Sequence, residues 1–220
     1  MQQRLISNTG ILVGANVLAF FLYIIFAYFY GGDFIQYIAL QPNAIIGGKY
    51  LWTFITSMFV HAGIGHLFAN MISLVFIGGF VEKLLGKKRF LYLYFIGGFV
   101  ASLFFVFLAG VFGTTVIGER LFGSPITFAV GASGAIFALG GVLAVLTPKL
   151  KVLAFFVIPM PMWVAMIFLT FIMWIFSASL SLPIGNTAHL GGLLAGVAYG
   201  FYIRYKYPKK TRMISRYFGG

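Results

Sequence analysis

One serine and one histidine head two apolar stretches, and neither has an acid beside it. Ser133 lies in Gly131-Ala132-Ser133-Gly134, and His189 in Ala188-His189-Leu190-Gly191-Gly192. A third stretch opens on His61-Ala62-Gly63-Ile64-Gly65-His66 and reaches Asn70. Polar side chains inside long apolar segments are costly and are by default candidates for function. A hydroxyl becomes a nucleophile when an adjacent base takes its proton, and a neutral imidazole can do this and later return the proton to a leaving amine. His66 and Asn70 are spaced i, i+4 and share a helix face. Two donors on one face can hold a developing oxyanion, aided by the Ser133 backbone N–H at a helix N-terminus. Gly131 and Gly134 flank the serine and permit close backbone approach. Ala135 stands where the Gly-x-Ser-x-Gly elbow of soluble hydrolases needs its last glycine, so the serine belongs to a different setting. With Asp33, Glu82 and Glu119 all distant along the chain, a serine–histidine dyad is expected, not a triad. Phe137, one turn after Ser133, is placed to orient the imidazole by stacking.

Each residue also has a plainer reading. Ser133 can be a small packing residue bonded to a carbonyl one turn back, and His189 a buried neutral histidine. His61, His66 and His189 together could ligate zinc. That arrangement would leave Ser133 and Asn70 without a role, and His61, five residues before His66, is off its face. No metal and no cofactor are therefore expected. His61 is read as a hydrogen-bonding anchor for its loop, and Glu82 as a structural partner of a neighbouring helix end.

The elements that must position these groups follow from composition. Of 220 residues, 61% are apolar and 8% charged, and the mean hydropathy is +1.03. A soluble domain of this size cannot bury that much apolar surface, so lipid is the expected solvent. The chain has no cysteine, which excludes disulfides and thiolate chemistry. Its net charge of +12 lies in short runs between long charge-free windows, a membrane pattern that argues against nucleic-acid binding. The first apolar run lacks a polar, small-residue cleavage region and reads as an anchor.

A membrane span needs about 20 apolar residues. The windows hold six, near 11–30, 64–82, 91–112, 132–147, 152–176 and 188–204, with Pro183, Gly185 and Asn186 breaking the last window in two. The expected fold is an all-α integral membrane protein, one six-helix domain over 1–220 with a basic tail at 205–220. Six spans gather Arg4, Lys83, Lys87, Lys88, Arg89, Lys149, Lys151 and the tail from Arg204 to Arg216 on one side. Those are 13 of the 15 basic residues, and only Lys49 and Arg120 fall opposite. The rich side is expected to be cytoplasmic, with both termini there and the site opening outward.

The second, fourth and sixth spans all run inward. Ser133 precedes Thr147 by 14 residues, His189 precedes Arg204 by 15, and His66 and Asn70 precede Glu82 by 16 and 12. At about 1.5 Å per residue, the four groups sit roughly 18–24 Å above the inner boundary. Gly192, Gly196 and Gly200 follow His189 on its face, and Gly140 and Ala144 follow Ser133, so two small-residue stripes are expected to pack the fourth and sixth spans together. Loops 113–130 and 177–187 are expected to cap a wet cavity. The fifth span, rich in Phe168, Phe171, Trp174 and Phe176, is expected to pack loosely and move aside for substrate.

Taken together, the motifs resemble the rhomboid family of intramembrane serine proteases, in its basic six-helix prokaryotic form. The resemblance covers about residues 50–205 and rests on His61-x4-His66-x3-Asn70, Gly131-x-Ser133-Gly134 and Ala188-His189-x2-Gly192-x3-Gly196, in that order. It implies a rhomboid-like bundle in a cell membrane and a Ser133–His189 dyad. It also implies an oxyanion hole lined by His66 and Asn70, with Phe137 supporting the histidine. Substrates would be transmembrane proteins cut in or near their spans. The Trp-Arg pair often found in the family's first outer loop is Trp52-Thr53 here, so loop anchoring is expected to differ. Two other readings remain: a non-catalytic rhomboid-like protein that binds membrane helices, and a transporter, for which polar groups should line the whole depth.

Overall fold

The computed structural model describes residues 7–154, 157–180 and 185–218. Arg4 and Pro183, used above for topology and for the break between spans, lie outside them. The longer helices are α1 (Asn8–Tyr30), α2 (Ile64–Leu85), α3 (Lys87–Phe112), α4 (Ser133–Leu146), α5 (Met162–Leu180), α6 (Asn186–Lys206) and α7 (Pro208–Tyr217). By length and composition, α1, α2, α3 and α5 are each able to cross a membrane, and α4 is a shorter apolar helix. This is a helical membrane protein.

One expected span is corrected. Residues 152–154 and 158–161 do not belong to the fifth helix. Strands β1 (Lys151–Ala154) and β2 (Ile158–Pro161) form an antiparallel hairpin with Lys151 opposite Pro161 and Ala154 opposite Ile158. Pro159 and Pro161 lack backbone donors and disfavour helix in the residues before them, while Val152 and Ile158 favour extended chain. The helix therefore begins at Met162 and runs on to Leu180, so the framework is helical but not purely so.

The short helix α4 is the core. Nearly every residue from Gly134 to Leu143 is buried, with α3, α5 and α6 around it. At about 1.5 Å per residue its 14 residues span only about 21 Å. That is shorter than the roughly 30 Å hydrocarbon core of a bilayer, so a helix of this length does not reach from one face to the other. Close packing explains the burial. A Cβ at Gly192 would strike the Gly134 carbonyl, one at Gly196 the Ala138 carbonyl, and one at Gly200 the Val145 side chain. The α6 stripe is thus used as expected. The α4 stripe is not: Gly140 faces Met162 and Met166 of α5, and it is Gly141 that meets α6, at the Leu193 carbonyl and Val197. A 3.6-residue period carries a stripe begun at Gly134 through Ala138 and Gly141, while Ser133 itself belongs to the cavity face.

Outside this core, α1 buries only a narrow stripe, Thr9, Leu12, Asn16 and Phe20. Its start is held by Glu82, whose two carboxylate oxygens accept from the Asn8 N–H at 2.8 Å, the Thr9 N–H at 2.8 Å and the Thr9 hydroxyl at 2.7 Å. The structural role expected for Glu82 is therefore a cap supplied across helices. Within α2, residues Leu74–Gly78 form a π-helical segment.

Candidate active site

The chain between α3 and α4 delivers the serine. Leu40 and Ala129 exchange backbone hydrogen bonds of 3.1 and 2.7 Å, and the Gly131 N–H donates to the Ser57 carbonyl at 2.9 Å. The segment between α1 and α2 thus holds the approach to Ser133 at two points. Gly131 has φ +117°, a conformation open to glycine. A Cβ there would lie 2.9 Å from His66 Nε2, so the glycine is also what lets the His66 ring approach.

Ser133 is the first residue of α4, and no side chain caps that end, which leaves early backbone N–H groups available. His189 sits near the start of α6, buried. Its Nε2 is 2.8 Å from Ser133 Oγ. The Phe137 ring lies parallel to the imidazole, centroids 4.4 Å apart and planes 3° apart. Gly134, beside the serine, meets Ala101 of α3, and Gly191 meets Phe104. Small residues of α3 thus let α3 close on α4 and α6. Gly97, Gly98 and Ala101 form a visible small-residue run that could have shown this.

His66 and Asn70 face the same cavity as Ser133. The Ala62 N–H approaches His66 Nδ1 at 3.5 Å. With Nδ1 accepting, Nε2 carries the ring proton and is a donor on the Gly131 side. Asn70 Nδ2 donates to the His66 carbonyl at 2.9 Å. One of its two hydrogens is therefore engaged within the helix, and one is left for the cavity. His61 does not anchor its loop in the way expected. Neither ring nitrogen makes a well-formed hydrogen bond, and the ring packs edge-on against His66 at 5.1 Å. Burial first, and then the nearby charge of a protonated His66, push its pKa down to about 4 against a weaker opposing contact with the Phe59 backbone. Among the described residues no group of three or more His, Cys, Asp or Glu is placed to hold a metal.

The cavity holds about 1300 Å³ and extends from Ser133 and His189 between α2 and α5 to β1. The segment Val116–Phe122, a short helix, also lines it. Trp174 of α5 donates to the Leu121 carbonyl at 2.9 Å. The loop 113–130 therefore does line the cavity. Of 177–187, residues 177–180 belong to α5 and 181–184 lie outside the described residues. On α5, Phe171, Ile175 and Phe176 are exposed, while Met162, Ala165, Met166, Thr170 and Ser177 are buried.

A helical membrane protein with a serine hydroxyl on a recessed imidazole is a narrow class. The family model described as Rhomboid domain matches residues 48–206, and the chain belongs to the rhomboid family. It is 33% identical over 172 residues to Rhomboid protein 1, mitochondrial, of Saccharomyces cerevisiae, covering 76% of this chain and 45% of that one. It is 30% identical over 189 residues to the Rhomboid protease GluP of Bacillus subtilis, covering 86% of this chain and 33% of that one. Over 84 residues it is 32% identical to the Inactive RHOMBOID-like protein 8 of Arabidopsis thaliana, covering 38% of this chain and 24% of that one. The chain spans less than half the length of these relatives.

Proposed function

We propose that this chain is an intramembrane serine endopeptidase that hydrolyses peptide bonds in or near the spans of other membrane proteins. The 2.8 Å contact between Ser133 Oγ and His189 Nε2 carries this reading. Ser133 attacks the scissile carbonyl as His189 takes its proton at Nε2. The oxyanion is held by His66 Nε2–H, the free hydrogen of Asn70 and the backbone N–H at the start of α4. His189 then returns the proton to the leaving amine, and water, activated by the same nitrogen, releases the acyl group.

For Nε2 to accept from the serine, the neutral imidazole must carry its proton on Nδ1. That atom is buried with no partner among the described residues. No carboxylate then stabilises the imidazolium, and ring orientation falls to the Phe137 stack. Catalysis in such a site depends heavily on the oxyanion donors.

Six spans, with α4 and α6 added to the four long apolar helices, put both termini on one side. The basic residues then make that side cytoplasmic. The cavity mouth at Val116–Phe122 opens to the other side, and the space between α2 and α5 is the lateral way in. A helical substrate must expose its scissile bond, so segments rich in small or helix-breaking residues near the outer interface are favoured.

The test is cleavage of a labelled single-span reporter by purified protein in liposomes, comparing wild type with Ser133→Ala and His189→Ala. Cutting by wild type alone supports the assignment. Equal cutting by all three removes it. The relative named inactive favours a second reading, a membrane protein that binds helices without cutting them. That reading gains if folded wild type binds reporters and cuts none.

A further inference from the structure

At the far end of the bundle from Ser133, a second cavity of about 160 Å³ lies between the end of α4 and the junction of α6 with α7. Three arginines line it, Arg204, Arg212 and Arg216, together with Thr211 and Ser215. Pro208, Thr211, Arg212, Ser215 and Arg216 recur every three or four residues, so one face of α7 is turned into the cavity. The opposite face carries Met213 and Tyr217, both largely exposed. Thr211 is the buried residue of α7, and its hydroxyl donates back along the helix to the Tyr207 and Pro208 carbonyls at 3.1 Å. Phe218, just beyond α7, rests edge-on against Phe80 at 5.1 Å.

Arg204, Arg212 and Arg216, each partly open to solvent, line this one space with no carboxylate beside them, and an anion there would relieve the repulsion of their like charges. The chain has only three acidic residues. Asp33 and Glu119 belong to loops at the other end of the bundle, and Glu82 is committed to the start of α1. The cavity is also at the right level for headgroups. Tyr202 and Tyr207, close in sequence to the lining residues Arg204 and Pro208, both meet Lys206, with Arg89 bonded to the Tyr207 hydroxyl at 3.0 Å and Lys206 to that of Tyr202 at 2.9 Å. Such aromatic and basic belts mark the membrane–water interface.

We propose that this cavity binds a phosphate group, with Arg204, Arg212 and Arg216 supplying the charge and Ser215 a hydroxyl donor. The arginine fork matches phosphate oxygens in pairs, which lysine cannot do. The phosphate is carried either by an anionic phospholipid headgroup or by a soluble anion. An apolar face on α7 beside the basic one fits the first source.

Thermal unfolding of the full chain in neutral detergent distinguishes these. One arm adds phosphatidylglycerol against phosphatidylcholine, and the other adds sodium phosphate against sodium chloride at equal ionic strength. Phosphatidylglycerol is expected to raise the wild-type midpoint and to act about tenfold more weakly on Arg212→Gln/Arg216→Gln. Lys209→Gln/Lys210→Gln loses the same charge from residues outside the cavity and should respond as wild type does. A phosphate response that the arginine variant loses, with none to the lipid, assigns the site to a soluble anion. Should the arginine variant not fold, Ser215→Asp supplies a counter-ion in place. It is expected to raise the midpoint without ligand and to blunt the response. The proposal is overturned if neither phosphate source shifts wild type beyond its control. It is equally overturned if the arginine and lysine variants respond alike, which would leave the arginines as caps for the α4 carbonyls.

Discussion

Gly131 carries much of the candidate site's geometry although it has no side chain. Its φ of +117° and the nearness of His66 to its Cα make even a methyl group intolerable. Gly131→Ala is expected to shift His66 or Ser133 by enough to cut kcat of reporter cleavage by about 100-fold. Because the strain is local, the thermal midpoint should fall much less than activity does. His61 gives a pH dependence of known sign. Its pKa in the folded chain is about 4 against an ordinary value of 6.5, so the unfolded state binds the proton more readily. Its contribution to stability is complete above pH 6.5 and is lost as pH falls toward 4, up to roughly 3 kcal/mol. The midpoint of wild type should fall across that window more steeply than that of His61→Phe, with thermal melts at stepped pH as the measurement. At this scale the sequence was highly legible. The spacing of His66 and Asn70, and the glycines about Ser133, pointed to one cluster. The role of His61 was not legible, because whether a loop histidine hydrogen-bonds or packs depends on the ring it meets, here His66.

Elements were legible where a single physical rule governed them. The long apolar windows became α1, α2, α3 and α5, and the glycine stripe of α6 packs as its spacing requires. Legibility failed where two rules competed. Residues 152–161 are apolar enough for a span, but Pro159 and Pro161 and the neighbouring β-branched residues turn them into a hairpin. On α4 the small residues that meet α6 are Gly134, Ala138 and Gly141, one face away from a count begun at Ser133, because the serine faces the cavity. Glu82 was legible as structural but not as to its partner, which lies 74 residues away in sequence at Asn8. Its carboxylate satisfies two backbone donors and one hydroxyl at the start of α1. Glu82→Gln puts an amide in place of one acceptor. It is expected to cost about 1–2 kcal/mol, seen as a lower thermal midpoint and faster proteolysis near α1, with the chemistry at Ser133 little changed.

On the scale of the whole molecule, the fold sets a short helix at the centre of longer ones. Ser133 heads the 14 residues of α4, the α6 glycines let His189 come onto it, and the cavity between α2 and α5 leads to both. The polar groups of this site gather toward one end of the bundle, as a site needs and a conducting path does not. The arginines of the second cavity mark the other end. The most direct test is covalent trapping in reconstituted protein with a fluorophosphonate that reacts with activated serines, the adduct being located by mass spectrometry. An adduct on Ser133 that disappears in His189→Ala and in unfolded wild type is the expected result. A folded wild type that takes no label at Ser133, or a label that His189→Ala leaves unchanged, would contradict the dyad.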